Sequence, residues 1–169
     1  MSSMFIVLAP LILSASVQFN LLTSSLNILP ENQPYLVNLQ IFLEDRRSPL
    51  PAGELLKYSN WEMMVALSNA ESGYGKHCAG DYNAWGIKDF RKGSNNFGGT
   101  RDFTSWAEST EYTSKLLYKY DAVDGEPTPA GMVAKWKYVK PYDHWIRNVQ
   151  YALNGIDKQV IKPAQDILA

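Results

Sequence analysis

Apolar residues recur at helical spacing along several stretches of the chain, and between two of these lies a long stretch with no period. After Pro34, the positions Leu36, Leu39, Phe42 and Leu43 fall three and four apart until Ser48-Pro49-Leu50-Pro51 breaks the run, which predicts an amphipathic helix. A short helix is expected over 52–58. Asn60 is positioned to cap a stronger helix ending at Gly73, the residue type suited to a left-handed stop. Ser105-Trp106-Ala107-Glu108 has the form of a capping box, in which hydroxyl and carboxylate each take the other residue's backbone N–H, and opens a helix to about Tyr120. Thr128-Pro129 supplies a cap and first-turn proline for a helix through Trp136. Asp143 is read as the cap of a last helix, with Trp145, Val149, Ala152, Leu153 and Ile156 on one face. Trp136 and Trp145 are read as core. Residues 74–103 are rich in glycine and asparagine and predict a long loop with at most a small hairpin. The expected class is mainly α, with a small, short β-lobe or irregular loop region.

The N-terminus reads differently. Met4 to Leu13 is an apolar run followed by Ser14, Ala15 and Ser16, the layout of a signal peptide without its basic start. Residues 1–16 are therefore expected to be a signal peptide or an N-terminal anchor remnant, the alternative being a buried segment. Residues 17–33 read as a linker or arm, 34–160 as the folded domain and 161–169 as a C-terminal tail.

Charge sharpens this division. Sixteen Lys and Arg against seventeen Asp and Glu give a net charge of −1, which excludes the broad basic footprint of a general nucleic-acid binder. The first forty-five residues hold Glu31, Glu44 and Asp45 and no Lys or Arg, so the remainder is mildly positive and suits an anionic polymer. A lone cysteine, Cys78, excludes an internal disulfide, and with two histidines it makes a poor metal set; no metal and no cofactor are expected. Cys78 is read as a packed or idle side chain.

Glu71 stands four residues after Leu67 and seven after Met64, so a helix turns its carboxylate toward the face those residues bury. Burial and the C-terminal helix dipole both favour the protonated form that a general acid needs. The competing reading is an ion pair with Lys88 or Arg91. Gly73 and Gly75 permit a tight turn around Tyr74, and Tyr82-Asn83-Ala84-Trp85-Gly86-Ile87 offers two rings and an amide on a loop that can fold back over Glu71. Rings that stack on the apolar face of a pyranose, with an amide for its hydroxyl or acetamido groups, form a sugar-gripping set. Glu108 is explained by its capping box.

Three strings together resemble the lysozyme-like superfamily, in particular the bacterial endo-β-N-acetylglucosaminidases that cleave peptidoglycan. They are Ala66-Leu67-Ser68-Asn69-Ala70-Glu71-Ser72-Gly73-Tyr74-Gly75-Lys76, Asn83-Ala84-Trp85-Gly86-Ile87-Lys88 and Phe103-Thr104-Ser105-Trp106-Ala107-Glu108-Ser109, within a likeness spanning about Ser48 to Ile156. The resemblance implies a lysozyme-like helical domain in which Glu71 is the catalytic acid and Tyr74, Asn83 and Trp85 line a glycan groove; Tyr82, from the ring-and-amide loop, is read with them as substrate-binding. The resemblance also implies a second carboxylate from a small lobe, where this chain offers Asp89 and Asp102; Asp102, after the Gly98-Gly99 turn, is the preferred candidate, with surface pairing to Arg101 as the alternative. Tyr112 either contacts substrate or packs. The expected protein is an extracytoplasmic hydrolase, secreted or envelope-associated, monomeric, partnered by peptidoglycan strands, with association of its N-terminus with a membrane as a further expectation. Two rivals stand beside it: a lytic transglycosylase using Glu71 as sole acid and base, and a non-catalytic glycan-binding module.

Overall fold

A computed structural model describes residues 27–121, 128–137 and 140–168. The apolar run and the signal or anchor expected over 1–16 lie outside the described residues. The chain is mainly helical: α1 Leu36–Asp45, α2 Ala52–Leu55, α3 Trp61–Ser72, α4 Trp106–Asp121, α5 Pro129–Trp136, α6 Asp143–Ile156 and α7 Lys162–Leu168. Among the described residues, β structure is limited to an antiparallel bridge between Lys88 and Thr100. No helix of the described residues is long and apolar enough to cross a membrane.

Helix α3 is the axle of the fold. Trp61 and every residue from Met63 to Ser68 are buried, so it is enclosed on nearly all sides rather than along one stripe. It packs chiefly against α6, whose Trp145, Val149, Ala152 and Ile156 form the buried face that their spacing predicts. Gly73 ends α3 in the left-handed conformation, at φ 59° and ψ 51°. Thr128 caps α5 by accepting the Gly131 N–H, also as expected.

Four local expectations are corrected. Asn60 makes no cap bond; its amide donates to Ser114 O and accepts from Ser114 Oγ, clamping α3 to α4. Asp143 lies inside the first turn of α6, and Tyr142 occupies the cap position without a side-chain bond. In the capping box, Ser105 Oγ does accept the Glu108 N–H, but the Glu108 carboxylate reaches one residue further back, to the N–H and hydroxyl of Thr104, each at 2.8 Å, and to Arg101 at 3.0 Å. These bonds, the Thr104 N–H first, hold the Glu108 carboxyl below the ordinary range. Finally, the domain extends beyond 34–160 at both ends. Ile28 is buried, and Asn32 donates to Leu56 O and Tyr58 O from a 3-10 turn over Pro30–Tyr35. At the other end a π-turn over Asp157–Ile161 leads into α7, and Val160 and Ala164 are buried.

Candidate functional site

Glu71 lies on the last turn of α3, at a groove of about 320 Å³ between that helix, the 74–103 lobe, α4 and α5. Its Oε1 accepts two indole N–H groups, from Trp145 on α6 at 2.6 Å and from Trp136 on α5 at 3.1 Å. Oε2 accepts no hydrogen bond among the described residues and faces Gly86, where a Cβ would stand 3.4 Å from it. Gly86 has φ +65°, so a side chain there would strain the backbone, while its Cβ would stand in van der Waals contact with that oxygen. Both indole donors fall on Oε1, so among the described residues Oε2, beside the groove-lining Gly86, is the oxygen left for a further partner.

The two indoles were expected in the core. Trp145 is indeed buried and Trp136 half-buried, but the polar end of each serves the carboxylate. The expected pairing of Glu71 with Lys88 or Arg91 does not occur: Lys88 lines the same groove without bonding to it, and Arg91 binds Asp89.

Trp85 and Tyr112 also line the groove. Trp85 is buried beneath it, its N–H donated to Met64 O at 2.8 Å, while Tyr112 is 37% exposed, with Arg101 stacked 4.4 Å from its ring centre. Tyr120, Lys135 and Lys137, not singled out by sequence, complete the wall nearest Trp136.

Three other predicted contacts lie elsewhere. Tyr74 follows Gly73 in the left-handed region, at φ 64°, held there by Ser48 Oγ donating to its carbonyl. This turns the ring away from the groove and edge-on to Phe42 of α1, where burial pushes its hydroxyl pKa up. Asn83 is buried and fully engaged: its NH2 donates to Ile87 O and Arg101 O, and its Oδ1 accepts the Ile87 N–H. No donor is left for a sugar, and the amide instead staples the lobe. Tyr82 is exposed but stands edge-on to Trp106 over a separate depression beside Cys78. The Cys78 Sγ donates to Gly75 O, and burial raises its pKa, the profile of an inert thiol.

Neither candidate second carboxylate lines the groove. Asp102 Oδ1 accepts the Asp81 N–H at 2.9 Å, pinning two lobe segments. Asp89 is buried and consumed by Arg91, which donates from its backbone N, Nε and Nη2, and by Ser94 Oγ at 2.6 Å. The Arg91 and Ser94 bonds drive its carboxyl far below the ordinary range, so it remains an anion. Among the described residues Glu71 is the one carboxylate on the groove. Ser72, beside it, was read only as part of a motif; its hydroxyl accepts the Gly75 N–H and donates to Ala84 O, tying the end of α3 to the lobe that covers it.

Compared with known proteins, the chain matches no family model, no curated protein and no solved structure.

Proposed function

We propose that this chain is a lysozyme-like glycosidase that cleaves the β-1,4 glycan strands of peptidoglycan outside the cytoplasm, with Glu71 protonating the leaving oxygen. The observation that carries the reading is the asymmetry of the Glu71 carboxylate: one oxygen held by two indoles, the other without a hydrogen-bond partner among the described residues, at a groove walled by aromatic rings and lysines. A proton donor has to present one oxygen at a fixed angle to a bond held against it, and an aromatic wall offers the apolar surface on which pyranose rings rest. Lys88, Lys135 and Lys137 suit strands that carry carboxylates.

A second reading of the same site follows from the engagement of Asp89 and Asp102 elsewhere. A hydrolase of the usual kind needs a second carboxylate within about 10 Å of the first. A lytic transglycosylase needs only Glu71, which gives its proton to the leaving oxygen and takes one from the sugar's own C6 hydroxyl as that oxygen closes on C1. Mass spectrometry of fragments released from purified peptidoglycan tests both. Fragments ending in a reducing sugar support hydrolysis, 1,6-anhydro ends lighter by one water support transglycosylation, and no release contradicts the proposal.

A further inference from the structure

Phe90 and Phe97 are among the most exposed large apolar side chains of the described residues, at 63% and 66%, and they lie against each other with ring centres 5.7 Å apart and planes at 75°. Solvent-facing phenylalanines on a glycine-rich loop would ordinarily scatter. Here the loop is tied down by the buried carboxylate of Asp89, whose backbone also exchanges bonds with the returning chain: Asp89 N–H to Gly99 O at 2.9 Å, and Gly98 N–H to Asp89 O at 2.7 Å. Asn96 adds a further tie, donating to Thr100 O. Phe90 follows Asp89 directly and Phe97 precedes Gly98, so the knot that fixes this rung of the lobe also fixes both rings on its outer side.

Phe90 also lines the groove that holds Glu71, so the platform continues the groove outward along the lobe. An edge-on pair leaves a ring face open to whatever passes over it, and Asn95 beside it is exposed. We infer that Phe90 and Phe97 form an outlying sugar subsite, on which a pyranose ring of the same glycan strand stacks beyond the residues at Glu71. This subsite rests on the glycan-cleaving reading above. It makes affinity depend on strand length: a short oligomer fills the groove alone, and a longer one gains the platform.

The test is binding of β-1,4-linked N-acetylglucosamine trimer and hexamer to the full chain carrying Glu71→Gln, alone and combined with Phe97→Ala or Phe97→Tyr. The hexamer should bind about tenfold tighter than the trimer, as one aromatic contact supplies. Phe97→Ala should collapse that ratio to near one, and Phe97→Tyr, which keeps the ring, should preserve it. A ratio unmoved by Phe97→Ala overturns the subsite while leaving the glycosidase reading intact. Failure of both oligomers to bind removes that reading and the subsite with it. Phe97-dependent retention on anionic phospholipid vesicles, with oligomer binding unaffected, would overturn the subsite in favour of a lipid contact.

Discussion

Glu71 and Asp89 are both carboxylates drawn out of solvent, and their surroundings treat them in opposite ways. Asp89 meets a guanidinium, a hydroxyl and a backbone N–H, and both of its oxygens are used. Glu71 meets two neutral indoles on one oxygen, and its other oxygen has no hydrogen-bond partner among the described residues. The carboxylate that builds structure is saturated with partners, whereas the one proposed to transfer a proton is oriented on one oxygen only. The helical body and the lobe differ in the same sense: the body positions Glu71 through packed helices, while the lobe, without a sheet, holds its shape through side-chain staples at Asn83, Asp89 and Asp102.

The largest test of that contrast is a matched pair of isosteric substitutions. Glu71→Gln should lower peptidoglycan cleavage by about a thousandfold, within the range of a lost general acid, with the thermal unfolding midpoint unmoved. Asp89→Asn should do the reverse: a lower midpoint and loosened lobe amides, with cleavage retained in the folded fraction. Next in size, Trp145→Phe keeps the ring and removes the shorter N–H bond to Glu71, so turnover should fall about tenfold to a hundredfold with KM unchanged. Trp136→Phe, losing the longer bond, should fall less. Asn83→Ala should destabilise the fold by about 1 to 3 kcal/mol in urea unfolding, as expected for a buried amide with several bonds removed, while glycan affinity measured on the folded protein stays the same.

The smallest expected effect concerns pH. The folded lobe keeps Asp89 far below its ordinary value of 3.8, so the stability it contributes is complete above that value and is lost as pH falls below it. Glu108, also held low, acts in the same direction. Hydrogen exchange should therefore show the amides of Asp89, Gly98 and Arg101 losing protection in acid before those of α3. Simultaneous loss in both regions would remove the distinction between body and lobe.

How much was legible in the sequence follows the range of the interactions. The α1, α3, α4, α5 and α6 segments announce themselves because a helix is written in spacings of three and four residues. From Ile156 at the end of α6, Val160 and Ala164 continue that spacing, although 161–169 reads as a tail. The helical run continues through the π-turn into α7 without a break, with Pro163 in its second position and the Lys162 N–H bonded to Asp157 O. Glu71 was legible for the same local reason, as a carboxylate on a helical face beside a glycine turn. Its partners were not, because the indoles stand 65 and 74 residues away and a tryptophan at a helical position looks like core whether or not its N–H has a further use. Asn83 is the opposite case. Its amide has the chemistry a sugar requires, and only the folded lobe reveals that its NH2 hydrogens already have backbone partners. Tyr74 was misdirected by one dihedral angle, since a left-handed residue after Gly73 sends the ring to α1 rather than to the groove.

The central claim is that Glu71 alone among the candidate carboxylates acts on the glycan. It is tested most directly by the initial rate of soluble-fragment release from purified peptidoglycan by the wild-type chain, Glu71→Gln and Asp102→Asn in parallel. Release that persists in Asp102→Asn and vanishes in Glu71→Gln is the predicted result. Equal release by Glu71→Gln and wild type, no release by any of the three, or loss of release in a folded Asp102→Asn would contradict it.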